Sequence, residues 1–157
     1  MSGPHETRLA VRGFGRILLR DARTGRITGS RQFKNIVTEI GIRDFLVNAI
    51  HSDLTGSKIG YAGIGSNTTV APNSTQTALS NEFETRKDVT GSLVASRTLR
   101  NVWSYATNEA TQSAVGECGL FQTNSAGAMF SRATYTASTK TTNQTLAFTY
   151  DIVFNTA

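Results

Sequence analysis

The last alternating segment constrains this chain most. Leu146, Phe148, Tyr150, Ile152 and Phe154 alternate with Ala147, Thr149, Asp151 and Val153. Side chains on an extended strand change face at every residue, so this spacing puts five large apolar groups on one face. Burying each is worth roughly 1.5–3 kcal/mol, which demands a second layer to cover them. The segment predicts a strand inside a sheet, and with it a mainly β chain.

The other end carries the same period with a different chemistry. Leu9, Val11, Ile17 and Leu19 occupy odd positions, with Gly13 and Gly15 between them, while Arg8, Arg12, Arg16 and Arg20 occupy even ones. The arginines are also four apart, as on a helical stripe, but two glycines and the strict period of two favour a strand. One face is then apolar and the other cationic. Asp21-Ala22-Arg23-Thr24-Gly25 is a turn signal, with Gly25 free to take positive φ. A second strand follows, with Ile27 and Phe33 expected inward and Thr28, Ser30, Gln32 and Lys34 outward. Residues 7–34 read as a β-hairpin, preceded by a flexible arm over 1–6.

One helix is predicted, over 38–51. Thr38 can cap it, Glu39 suits its first turn, and Ile42, Phe45, Leu46, Ala49 and Ile50 form one apolar stripe. From 57 to 157 the pattern is mostly strands. Ile59–Gly65 reads as a short strand passing close to another backbone, followed by a polar loop over Ser66–Thr77 and a helical turn around Thr77–Phe83. Segment 92–107 has strand composition with mixed alternation, as a bulge would produce. Gly116–Phe121 and Ala128–Tyr135 read as further short strands. No internal repeat is evident.

Length and composition agree with one domain. The 157 residues suffice for a core without covalent staples. Threonine favours strands, serine and asparagine favour turns, and all three are abundant. Fourteen glycines against two prolines suggest short strands joined by tight turns. Only 17% of residues are charged, which fits a surface largely covered by neighbours. The expected architecture is one antiparallel β-sandwich with a short flanking α-helix; jelly-roll strand order is one way to connect it.

The net charge of +5 is unevenly placed. Residues 1–35 hold eight basic side chains against Glu6 and Asp21, a net +6, and the remainder is −1. The basic hairpin, with Arg8, Arg12, Arg16, Arg20, Arg23 and Arg26, is the best candidate for interaction chemistry. It reads either as a solvated strand face or as a docking element for an acidic protein surface, a role the planar donor fork of arginine suits. Nucleic acid is not expected as a partner: the stripe has no interleaved exposed aromatics and no recognition helix.

Signals for catalysis are weak. His5 falls in the expected arm, and His51 at a helix end, where it complements the dipole. No metal-ligand spacing and no nucleophile elbow occur, so neither metal nor cofactor is expected. Glu82 and Glu84 share a parity but read as a solvated face. Gly63-Ile64-Gly65-Ser66-Asn67 is similar to a phosphate loop without its Gly-Lys-Ser/Thr ending. Cys118 stands alone, so no internal disulfide can form, and it reads as a small buried filler. No apolar run approaches the roughly 20 residues needed to span a membrane, and the amino terminus lacks a signal pattern, so synthesis in a cytoplasm is expected.

Three stretches together carry a family resemblance. The first is the amino-terminal hairpin running into Phe33-Lys34-Asn35-Ile36-Val37-Thr38-Glu39-Ile40-Gly41 and a short helix. The second is Ile59-Gly60-Tyr61-Ala62-Gly63-Ile64-Gly65-Ser66-Asn67-Thr68-Thr69-Val70-Ala71-Pro72, then Thr77-Ala78-Leu79-Ser80-Asn81-Glu82. The third is Gly116-Glu117-Cys118-Gly119-Leu120-Phe121, then Met129-Phe130-Ser131-Arg132-Ala133 and the closing strand. In this order they resemble small β-rich virion structural proteins of tailed bacteriophages. Cys118 departs from the pattern, where a small residue such as alanine is expected.

The resemblance implies a non-enzymatic virion component made in the bacterial host cytoplasm. The first expectation is a capsid cement or decoration protein on the outer shell. It would act as a homo-oligomer, dimer or trimer, clamping copies of the major capsid protein, with the arginine hairpin docking. The second is a tail or baseplate protein. The third is a host-glycan-binding module, for which Trp103, Tyr105 and Tyr61 are the available platforms, although core packing is the expected role of each.

Overall fold

The computed structural model describes residues 9–47 and 58–156. Among the described residues the chain adopts the mainly β, antiparallel class with one short helical segment. The strands are β1 (Leu9–Asp21), β2 (Ile27–Val37), β3 (Tyr61–Gly65), β4 (Lys87–Asp88) and β5 (Thr90–Ala95), then β6 (Thr98–Tyr105), β7 (Val115–Phe121), β8 (Met129–Ser138) and β9 (Gln144–Thr156). They form one nine-stranded sheet in the order β4-β3-β7-β8-β2-β1-β9-β6-β5. The two facing layers are continuous through β2, which pairs with β1 on one side and β8 on the other. This single run stands in place of the two separate sheets of a jelly roll.

The sheet curls until its rims nearly meet. Residues 87–95 are the seam: β4 pairs with β3, β5 pairs with β6, and Val89 between them donates its N–H to the Gly60 carbonyl at 2.9 Å. The result is close to a closed barrel.

The alternation in β9 does what the sequence predicts. Leu146, Phe148, Tyr150 and Ile152 are buried, Phe154 is half-buried against the same core, and β9 lies between β1 and β6. Phe148 stacks on Trp103 with ring centroids 4.5 Å apart, and Phe33 packs on Tyr135 and Tyr150 at 5.4 and 5.3 Å. Gly15 makes room for Phe33: a Cβ there would stand 2.1 Å from the Phe33 ring. Trp103 and Tyr105 are therefore core residues, and Tyr61 is half-buried against Leu79, Phe121 and Met129. Cys118 is buried, as a filler should be.

Several local expectations are corrected. Ile27 was expected inward but is 44% exposed. A register shift between Leu19 and Arg20 pairs Leu19 with Gly29 but Arg20 with Ile27, and the extra residue reverses the parity of the strand's start. The helix begins as expected, with Thr38 Oγ1 accepting the Gly41 N–H at 2.8 Å. It is α-helical only over α1 (Glu39–Gly41) and continues as π-helix over Ile42–Val47. The wider i→i+5 winding changes which residues share a face. Phe45 packs edge-on against Phe130, while Ile42 is 45% exposed. The arm over 1–6, Ala49, Ile50, His51 and the expected helix end fall outside the described residues, as does His5.

Segment 92–107 is the end of β5, a tight turn and the whole of β6, and its mixed alternation reflects that reversal plus a register shift between Leu93 and Ala95. In place of a helical turn near Thr77–Phe83, Ser80 and Asn81 donate their backbone N–H groups to the Glu117 carboxylate. Glu82 and Glu84 are half-buried and serve different partners: Glu82 pairs with Arg86, and Glu84 accepts the Ala110 N–H.

Candidate functional site

The hairpin presents its cations as its alternation dictates. Gly13, Gly15, Ile17 and Leu19 turn into the barrel, and Arg12, Phe14, Arg16, Leu18 and Arg20 turn out. Arg12 and Arg16 are exposed on the flat of the strand, and Arg20 is half-buried near the turn, its Nη1 donating to the Gly25 carbonyl at 3.3 Å. Arg23 and Arg26 are exposed on the turn itself. Arg8 lies outside the described residues. The six expected docking arginines thus divide into a pair on the strand face, a trio at the hairpin end, and one undescribed.

The turn is built as its residues require. Gly25 takes φ +69° and donates its N–H to the Asp21 carbonyl at 2.9 Å. Asp21 Oδ1 accepts from the Thr24 hydroxyl and backbone N–H, both at 2.7 Å, and these bonds hold its carboxyl below the usual carboxylate range. Among the described residues, no carboxylate comes within ion-pairing distance of Arg12, Arg16, Arg20, Arg23 or Arg26.

Two features of the face were missed at the sequence level. Phe14 sits between Arg12 and Arg16 and is 50% exposed, so the stripe does carry an interleaved exposed aromatic, contrary to the expectation that set nucleic acid aside. Its even position carried the signal. The second is a row of alternating character across four strands. Lys34 on β2 pairs with Phe14 on β1, which pairs with Asp151 on β9, which pairs with Arg100 on β6. Arg100 closes on Asp151 through two bonds, Nε at 2.8 Å and Nη2 at 2.7 Å. This fork buries Asp151 despite its outward position, and the hydrogen-bonded carboxylate raises the Arg100 pKa. The one acidic group in the row is therefore already committed.

Two hollows flank Phe14. One, of about 780 Å³, is lined by Phe14, Arg16, Leu18, Gln32, Lys34 and Arg100 among others. The other, of about 740 Å³, lies between the hairpin and the π-helical segment, with Arg12, Phe14, Lys34, Ile36, Ile42 and Leu46 in its wall. Phe14 and Lys34 belong to both, so the hollows meet there.

No family model matches this chain, and no curated protein or solved structure matches it.

A second cluster of charge lies inside the fold. Arg132 and Glu117 are both fully buried, paired at 2.7 Å, and Arg132 Nη2 also donates to Ser80 Oγ at 2.9 Å. Arg86 lies over the Phe121 ring at 3.4 Å and donates to the Thr123 and Ala126 carbonyls. These contacts pin the Ser66–Arg86 stretch to β7 and the turn that follows it. Every carboxylate oxygen of Glu117 is engaged by protein donors, so the pair acts as a tether. Among the described residues, no group of three or more His, Cys, Asp or Glu side chains stands together as a metal site.

Proposed function

We propose that this chain is a non-enzymatic structural component of a tailed-phage virion that cements the capsid shell. The observation that carries the reading is the outer face of β1, β2, β9 and β6. It presents exposed guanidinium groups that have no carboxylate partner among the described residues, arranged around an exposed aromatic ring. Arginine and aromatic side chains are the groups enriched where proteins dock. An acidic shell surface would supply the missing carboxylates, and Phe14 the buried anchor.

The barrel suits such a role because it holds the face rigid. β1 is paired along its length with β9 and along most of it with β2, so its arginines are presented without prior ordering of the backbone. Repeated copies, each touching more than one capsid subunit, would add to shell stability by mass action and avidity. The family resemblance of the three stretches quoted above supports the virion assignment.

Copy number tests the placement. In purified particles, mass spectrometry and cryo-microscopy should find hundreds of copies spread over the shell; a few copies at the tail would refute it. Shells stripped of the protein should rebind it, and the double change Arg12→Glu with Arg16→Glu should lower occupancy at least about tenfold. Rebinding should also weaken as salt rises, since exposed charges are screened.

A further inference from the structure

We propose that the groove formed by the two hollows receives an extended acidic segment of a partner protein, with two apolar side chains four residues apart. This rests on the docking reading of the same face and names what docks there.

Length is the first constraint on the occupant. The groove follows β1 from Val11 to Leu18, about 23 Å at roughly 3.3 Å per residue, which fits an extended segment of six to eight residues. Along β1, one hollow is lined by Val11, Arg12, Gly13 and Phe14, and the other by Phe14, Gly15, Arg16 and Leu18. Side chains four apart on an extended chain share a face, so one apolar group can enter each hollow. The walls offer what such groups need. Phe14 is 50% exposed, Ile42 45% and Ile36 39%, with Leu18 and Leu46 beside them. Exposed apolar side chains grouped this way mark interaction surfaces, whereas scattered ones do not.

Charge selects the rest of the occupant. Arg12, Arg16 and Lys34 are exposed along the groove, and Asp151, the acidic residue in its wall, is locked to Arg100. A basic or neutral segment would leave these cations without partners, whereas an acidic one gives charge-assisted bonds at the rim. A second copy of this chain is disfavoured, because two copies of the same cationic face repel.

Capped octapeptides test this. The probe is eight residues of glutamate with leucines at the second and sixth positions. Controls move the second leucine to the fifth position, replace both leucines with serine, or replace every glutamate with lysine. Binding is followed by NMR chemical-shift changes on the full chain. The first peptide should saturate, shift Phe14, Leu18 and Ile36, and bind at least about tenfold more tightly than each control. Phe14→Ser should lower its affinity by about tenfold with the melting temperature unchanged. Equal binding of the serine control, shifts away from the groove, or no saturation in the millimolar range would each overturn the proposal. So would groove shifts that depend on protein concentration alone, since the occupant would then be a second copy. Particle copy number is measured independently. Shells filled by a protein that ignores the peptide would overturn this inference alone, and peptide binding by a protein confined to the tail would overturn only the cement assignment.

Discussion

Gly41 shows how a single residue can carry a contact. A Cβ at this position would stand 2.2 Å from the backbone carbonyl oxygen of Phe130. That atom belongs to β8 and also accepts the Thr38 N–H at 3.0 Å, so it has little freedom to withdraw. Gly41→Ala is therefore expected to destabilise the fold by about 1–3 kcal/mol through overpacking, although alanine is the better helix former. Urea denaturation of the two proteins checks this; equal midpoints would mean the helical segment can shift outward freely. Helix propensity alone would favour alanine here, because the neighbouring carbonyl is nearly ninety positions away along the chain and leaves no local mark. The arginine parity was legible because alternation is a local rule. Phe14 obeyed the same rule, and its even position alone places it on the cationic face.

At the scale of elements, the Ser66–Arg86 stretch is held by the buried pair. Glu117 binds Arg132 and also accepts the backbone N–H groups of Ser80 and Asn81, at 3.2 and 2.8 Å. Glu117→Gln would leave the fully buried guanidinium without its counter-charge. Breaking a buried pair from one side costs about 3–5 kcal/mol, so a loss of that order is expected in chemical denaturation. Hydrogen exchange at Ser80 and Asn81 should quicken with it, because the amide side chain accepts from fewer donors. A change below about 1 kcal/mol would show that Ser80 and the surrounding backbone suffice for Arg132. None of this was legible beforehand, since a strand carboxylate and a loop amide more than thirty residues apart have no periodic relation. The hairpin element, by contrast, was legible almost to its ends. The Ile27 side differs because a bulge changes parity and leaves no compositional mark, and β2 runs past the expected end at Lys34 to Val37, where it meets β8.

For the whole molecule, the barrel interior sets the response to alkali. Burial, chiefly, raises the pKa of Tyr105, Tyr135 and Tyr150 above the ordinary value of 10.0. Tyr135 donates to the Glu117 carbonyl at 3.2 Å, and Tyr150 shares a 2.6 Å bond with Ser131 Oγ. Above pH 10 the folded chain keeps phenolic protons that the unfolded chain releases. The folded state then binds more protons, so stability present below that pH is lost as pH rises. Absorbance at 295 nm should show these tyrosines ionising in one step together with loss of near-ultraviolet circular dichroism. Gradual ionisation with the dichroism intact would contradict their burial. Local alternation and turn chemistry set which faces are apolar and cationic, where the main hairpin turns, and that the last alternating strand sits inside a sheet. These follow from the two-residue period, which any strand must obey wherever it lies. The near-closure of the sheet through residues 87–95, the meeting of Glu117 with Arg132, and the place of Phe14 between two hollows arise only on folding. Such features depend on which strands become neighbours, and strand pairing is a long-range choice that local spacing does not encode.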